Sequence, residues 1–207
     1  MRRRRRLRKS SADDRRECVS RLDWMRRGTL AMRGKSVIAI GAVTLILACV
    51  SSSQGFGWTL VNAKIRHDFP QLRRITTAEL AAWLKDEKRV PPLLLDVRTR
   101  AEFEVSHLKN ARHVEPDASV DAIQERKDRP IVTYCSVGYR SGAFAEKLRV
   151  AGFTNVVNLE GSIFKWANEG RPIFRNGQRV EKVHPFNGAW GLLLQKKYRA
   201  KVAPVDR

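Results

Sequence analysis

Cysteine is scarce: three in 207 residues, Cys18, Cys49 and Cys135, too widely spaced for a disulfide scaffold or a C-x2-C zinc site. Four scattered histidines leave no pair at a metal-binding spacing. No apolar run reaches the roughly 18–20 residues of a spanning helix, which argues against a polytopic membrane protein. Acidic residues are few, 21 against 41 Lys and Arg, and the net charge is +20. Hydrophobic residues at 43% are enough for a core, so wholesale disorder is excluded. There is room for one domain of about 100–150 residues with something attached.

The charge divides unevenly. Residues 1–35 hold 14 Lys and Arg against 4 Asp and Glu, whereas the other 172 residues hold 27 against 17. In that larger part the signs are mixed, and no basic-aromatic alternation marks a nucleic-acid surface. Nucleic acid is therefore not an expected partner.

The N-terminal third reads as an address. Val37-Ile38-Ala39-Ile40-Gly41-Ala42-Val43-Thr44-Leu45-Ile46-Leu47-Ala48-Cys49 is nearly unbroken apolar sequence, preceded by Arg33 and Lys35 and followed by Ser51-Ser52-Ser53. A basic start, a short apolar run and a small-residue exit are the parts of a secretory signal. Residues 1–31 read as a basic extension, which drops out if translation starts at Met32. Residues 32–50 read as signal peptide or membrane anchor, and 51–71 as linker. Leu45-Ile46-Leu47-Ala48-Cys49 is similar to a bacterial lipobox, which makes Cys49 the lipidation candidate. The expected location is the bacterial cell envelope on the exported side, with membrane attachment through this segment. Cys135 then remains as a lone thiol in an oxidising compartment, where cysteines normally pair.

From Leu72 onward, short β-rich runs alternate with helical patterns. Thr76 and Glu79 form a capping box ahead of Leu80, Trp83 and Leu84. Leu93–Val97, Ala111–Val114, Ile131–Tyr134 and Asn155–Leu159 read as strands. Arg100–Leu108, Val120–Arg126, Ser141–Val150 and Ile163–Asn168 read as helices. Such alternation predicts an α/β fold, a parallel sheet with helices on both faces. Ligands in these sheets bind beyond the carboxyl ends of the strands, where Cys135 falls.

The loop Cys135-Ser136-Val137-Gly138-Tyr139-Arg140 leads into the helix expected from Ser141. Gly138 permits a tight curl that makes peptide N–H groups converge. The helix N-terminus and Arg140 add positive charge, and together these features favour a thiolate nucleophile at Cys135. A buried structural cysteine is the plain alternative.

Asp96-Val97-Arg98, Glu102-Phe103, His107-Leu108-Lys109-Asn110-Ala111, the loop 135–141, Leu159-Glu160-Gly161 and Trp166 together resemble the signatures of rhodanese-like domains. The resemblance covers about residues 72–173. Ser106, Leu108 and Ser162 depart from the usual Gly, Ile and Gly, away from the nucleophile. The resemblance implies a five-stranded parallel sheet and sulfur transfer through a persulfide on Cys135. Thiosulfate or another sulfane-sulfur compound would donate, and a thiol or cyanide would accept. It implies Ser136, Val137, Gly138, Tyr139, Arg140 and Ser141 as the substrate-binding loop, Arg140 as attractor of an anionic donor, and Asp96 and Arg98 as a brace on that loop from the neighbouring strand end, an ordinary surface ion pair being the alternative. No cofactor and no metal are called for.

Two rivals use the same features. Dual-specificity phosphatases place five residues between Cys and Arg, usually after His, whereas this chain has four and Tyr134. A non-catalytic binding or redox-sensing module of the envelope would keep the fold, but inactive members usually lack the cysteine. Residues 174–207 form a basic tail whose apolar part is expected to pack on the domain, the alternative being a membrane-lying stretch. His184 reads as a loop residue.

Overall fold

The computed structural model describes residues 55–202. The expectations for 1–31, 32–50 and Cys49 lie outside the described residues. Among the described residues no helix is long and apolar enough to cross a membrane.

Five strands form one sheet: β1 (Arg74–Ile75), β2 (Leu93–Asp96), β3 (Arg112–His113), β4 (Ile131–Tyr134) and β5 (Val156–Leu159), in the order β1-β5-β4-β2-β3. Every pairing is parallel, with Leu93–Asp96 in register with Ile131–Tyr134 and Ile131–Thr133 with Val156–Asn158. From β2 the chain moves outward to β3, and from β4 it moves the opposite way to β5. The carboxyl ends of β2 and β4 therefore flank a topological switch point, where such sheets open a crevice.

Side chains alternate across the sheet because successive Cβ atoms point to opposite faces. Leu94, Val132, Tyr134, Val157 and Leu159 join Leu80 and Trp83 of α2 (Thr77–Trp83) and Ile163, Phe164 and Trp166 of α5 (Ser162–Asn168). Leu95, Val97, Ile131 and Val156 join Phe144, Ala145 and Leu148 of α4 (Tyr139–Val150) on the other face. Each such large side chain contributes about 1.5–3 kcal/mol on full burial. The α/β sheet with helices on both faces is thus as expected.

Local chemistry sets the helix ends. Thr76 accepts from the Glu79 N–H while Glu79 accepts from the Thr76 N–H, the expected box at the start of α2. A second box, Thr99 with Glu102, opens α3 (Arg100–Val105). This helix stops short of the expected Leu108. Ser106 is extended at φ −173°, and His107 exchanges N–H···O bonds of 2.8 Å with Phe174. Tertiary pairing outweighs local propensity there. The helix expected over Val120–Arg126 is a single 3₁₀ turn, Val120–Ala122.

Two terminal segments carry more structure than a linker and a tail. Within the supposed linker, residues 55–68 are helical (α1), with Ile65 buried and Trp58 and Val61 packed on the core. Apolar positions at 58, 61 and 65 share one helical face, which accounts for the docking. After α5, β6 (Ile173–Arg175) and β7 (Gln178–Val180) form an antiparallel hairpin. Its turn residues Asn176 and Gly177 both take positive φ, as a two-residue hairpin requires. A short α6 (Gly188–Gly191) follows, and Val183, Leu193 and Leu194 are buried in the core, as expected for the apolar part of the tail.

Candidate active site

Cys135 follows directly on the central strand β4 and is 1% exposed. Its peptide is fixed from α5: the Cys135 N–H donates to Ser162 Oγ at 3.1 Å, and the Ile163 N–H donates to the Cys135 carbonyl at 3.2 Å. The Phe164 N–H holds the Ser136 carbonyl in the same way at 3.1 Å. Ser162 sits at φ 48°, a left-handed conformation uncommon outside glycine. Its hydroxyl, which donates to the Leu159 carbonyl at 3.1 Å while accepting from Cys135, ties that turn to the loop.

Gly138 makes the curl. It stands at φ 111°, and a Cβ there would lie 3.3 Å from Ile65 Cδ1 of α1. In this conformation the Gly138 N–H points back at Cys135 Sγ, 3.1 Å away. Asn158 Nδ2 donates to the Gly138 carbonyl at 2.9 Å, and Ser141 Oγ donates to Asn158 Oδ1 at 2.7 Å. The helix after the loop begins at Tyr139, two residues earlier than expected, which places Arg140 in its first turn. The N–H groups of that turn lack intrahelical partners by construction and carry the positive end of the helix dipole.

The loop residues divide by what their side chains touch. Val137 is buried in the core on the α5 side, and Ser141 is buried against Asn158. Their contribution to the site is through backbone and packing. Tyr139 is exposed, its hydroxyl donating to Asp68 of α1 at 2.8 Å and its ring tilted on Phe69.

Arg140 is not a free cation waiting for an anion. Its Nη1 and Nη2 donate to Glu102 Oε2 and Oε1, both at 2.8 Å, and Nη2 also reaches Ser136 Oγ at 3.0 Å. Ser136 Oγ donates in turn to Glu102 Oε1 at 2.9 Å. Glu102 also caps α3 through Thr99, so one carboxylate joins the ends of β2 and β4 across the crevice. Burial alone would raise its pKa. Hydrogen bonding and charge from Arg140, the charge of Arg98 and the Thr99 N–H outweigh that and hold it at about 2.

Asp96 and Arg98 form a fully buried pair rather than a surface one. Arg98 Nε donates to Asp96 Oδ1 at 2.8 Å, and Nη2 donates to Asp96 Oδ2 and the Ser106 carbonyl, each at 2.6 Å. These bonds brace the turn after α3 rather than the loop itself. Between them the Val97 N–H donates to the Tyr134 carbonyl at 2.9 Å, which is the link to the cysteine's strand.

Three further residues belong to the site: Asn158, which no signature marks, Glu102, expected only as part of a signature, and Ser162, expected away from the nucleophile but in fact accepting from the Cys135 N–H, because the turn after β5 folds α5 back against the loop. The Thr99-x-x-Glu102 spacing was a visible signal for Glu102, and the replacement of a glycine was one for Ser162. Asn158, a polar residue inside a buried strand, is a signal of the same kind. His184, read as a loop residue, is 4% exposed, and burial lowers its pKa.

Residues 76–169 match the family model described as Rhodanese-like domain. A tRNA uridine(34) hydroxylase of Erwinia tasmaniensis is 33% identical over 104 residues, 47% of this chain and 29% of that protein. A probable adenylyltransferase/sulfurtransferase MoeZ of Mycobacterium tuberculosis is 31% identical over 102 residues, 47% of this chain and 25% of that protein. The chain thus spans less than a third of the length of these relatives. Among solved structures, a rhodanese-like domain protein from Staphylococcus aureus is 29% identical with a TM-score of 0.45, covering 51% of this chain and 99% of that one.

Proposed function

We propose that the rhodanese-like domain formed by residues 76–169 makes this chain a sulfurtransferase working through a persulfide on Cys135. The observation that carries the reading is the Gly138 N–H aimed at Cys135 Sγ from 3.1 Å, in a loop closed by Arg140. The Cys135 thiolate attacks the outer sulfur of thiosulfate. A new S–S bond forms, the old one breaks, and sulfite leaves with the electron pair. The terminal sulfur, now anionic on Cys135, is held by loop N–H groups as an oxyanion hole holds oxygen. A thiolate or cyanide then takes that sulfur and returns Cys135 as thiolate, so the cycle is redox-neutral and needs no cofactor. Arg140, with two N–H groups beyond those engaged by Glu102 and Ser136, offers a charge-assisted contact to the donor's sulfonate.

Replacement of Cys135 tests this directly. Cys135→Ser is expected to abolish thiosulfate-dependent thiocyanate formation while leaving the circular dichroism spectrum and unfolding midpoint in place. Retained turnover in that variant contradicts the mechanism. A folded wild-type chain with a free thiol and no turnover favours a binding or sensing module.

The basic-apolar-small order of residues 32–55 supports work in the bacterial envelope on the exported side, with attachment at Cys49. Palmitate labelling and membrane fractionation that vanish in Cys49→Ala are expected. Labelling unaffected by the change contradicts attachment there.

A further inference from the structure

We propose that Phe186, held over Arg140 by the segment 183–187, is a selectivity strap that restricts the persulfide site to small sulfane-sulfur donors and acceptors; this rests on the sulfur-transfer reading above. The segment lies outside residues 76–169, so the matched domain does not account for it.

The guanidinium carbon of Arg140 stands over the ring of Phe186, 4.5 Å from its centroid, while Glu102 and Ser136 accept from the same guanidinium. The cation is attracted to the ring by the negative potential over its face. The backbone there is strained to achieve this contact. Phe186 has φ 65°, where a bulky L residue is an outlier. The Phe186 N–H donates to Nδ1 of His184 at 3.0 Å, so the imidazole holds that turn as a hydrogen-bond acceptor. His184 is buried beside Arg98, Glu102 and Arg140, where burial favours the neutral ring that can accept at Nδ1.

Both ends of the strap are fixed. Val183 is fully buried, its N–H donating to the Tyr198 carbonyl at 2.8 Å and its carbonyl accepting from Ala200 at 2.9 Å. Beyond Phe186, Asn187 Oδ1 caps α6 through the Trp190 N–H at 3.0 Å, and Gly191 of α6 packs against Pro185 so closely that a Cβ would meet it at 3.2 Å. Strain held by anchors on both sides belongs to a fixed element rather than a loose tail.

Cys135, Ser136 and Val137 are all 5% exposed or less, so the sulfur is recessed. On this proposal the route to the sulfur runs past Arg140 and along the edge of the ring stacked on it. Thiosulfate, with a thin reactive end and a compact sulfonate, meets that limit. A persulfide carried on a peptide-sized thiol brings its bulk against the ring.

The test loads the full-length chain with sulfur in single-turnover reactions, from thiosulfate and from glutathione persulfide, and compares the rate constants. Phe186→Ala is expected to raise the ratio of glutathione persulfide to thiosulfate roughly tenfold, the scale of one pocket contact. Phe186→Trp should lower it. His184→Ala should shift the ratio in the same direction as Phe186→Ala, and His184→Asn, which keeps an acceptor near the place of Nδ1, should restore it. An unchanged ratio in Phe186→Ala, or equal losses with both donors, overturns the proposal. If that variant unfolds, Phe186→Leu and Phe186→Trp carry the comparison. Should the wild-type chain take sulfur from neither donor, the sulfur-transfer reading itself fails, a result distinct from an unchanged ratio in a chain that loads.

Discussion

Two carboxylate–guanidinium pairs stand near the carboxyl end of β2, and they differ in where their partners come from. Asp96 and Arg98 are two residues apart, fully buried, and bonded to each other and to the Ser106 carbonyl. Glu102 and Arg140 are 38 residues apart and join the two sides of the switch-point crevice, with Arg140 partly open to solvent. The first pair satisfies charges inside one turn, so its loss leaves a buried ion uncompensated. The second shares its atoms with the Thr99 cap, with Ser136 and with the contact to Phe186. The near pair builds the frame, and the distant pair sets the loop.

The difference can be broken from its stronger side. Arg98→Ala should cost about 3–5 kcal/mol of unfolding free energy, because Asp96 stays buried without its partner. Replacing both members, Asp96→Leu with Arg98→Met, should recover much of that loss in denaturant titrations. A cost under about 1 kcal/mol for Arg98→Ala would erase the distinction between the pairs.

Arg140→Ala should cost less stability, about 1–3 kcal/mol, and should chiefly raise the apparent constant for thiosulfate. An unchanged constant removes Arg140 from donor binding. Arg140→Lys should fall between, since an ammonium cannot reproduce the fork on Glu102.

Acid should dissolve the Glu102 contacts gradually. The Glu102 carboxyl is held at about 2 in the folded chain against an ordinary 4.5. Its contribution is therefore complete above pH 4.5 and is lost as pH falls toward 2. Glu102→Gln should flatten the stability curve in that window, and a slope identical to wild type would show that other carboxylates carry it. The smallest expected effect is Thr99→Ala, about 1 kcal/mol through loss of the α3 cap. It tests whether Glu102 is held in place by Arg140 and Ser136 when its local anchor is gone.

This contrast also explains what could be read from the sequence. The sheet was legible because buried parallel strands are short apolar runs, as in Leu93–Leu95 and Ile131–Val132. The loop 135–141 was legible because its nucleophile, its curl and its guanidinium are contiguous. Glu102 was half legible: its capping spacing stands in the sequence, but its bond to Arg140 depends on the order of strands. The reach of Phe186 to Arg140 was not legible, since nothing local relates positions 46 apart. The terminal segments failed in both directions. Trp58, Val61 and Ile65 offered a helical face within what read as linker, and Asn176-Gly177 offered a hairpin turn within what read as tail. The pairing of Arg140 with Glu102 was not legible, because a sequence shows charges without their partners.

Intact mass of the purified full-length chain, before and after brief exposure to thiosulfate, tests the central claim most directly. The account predicts a gain of one sulfur atom that a reductant removes and that Cys135→Ser does not show. A folded chain with a free Cys135 thiol and no gain in mass would contradict it.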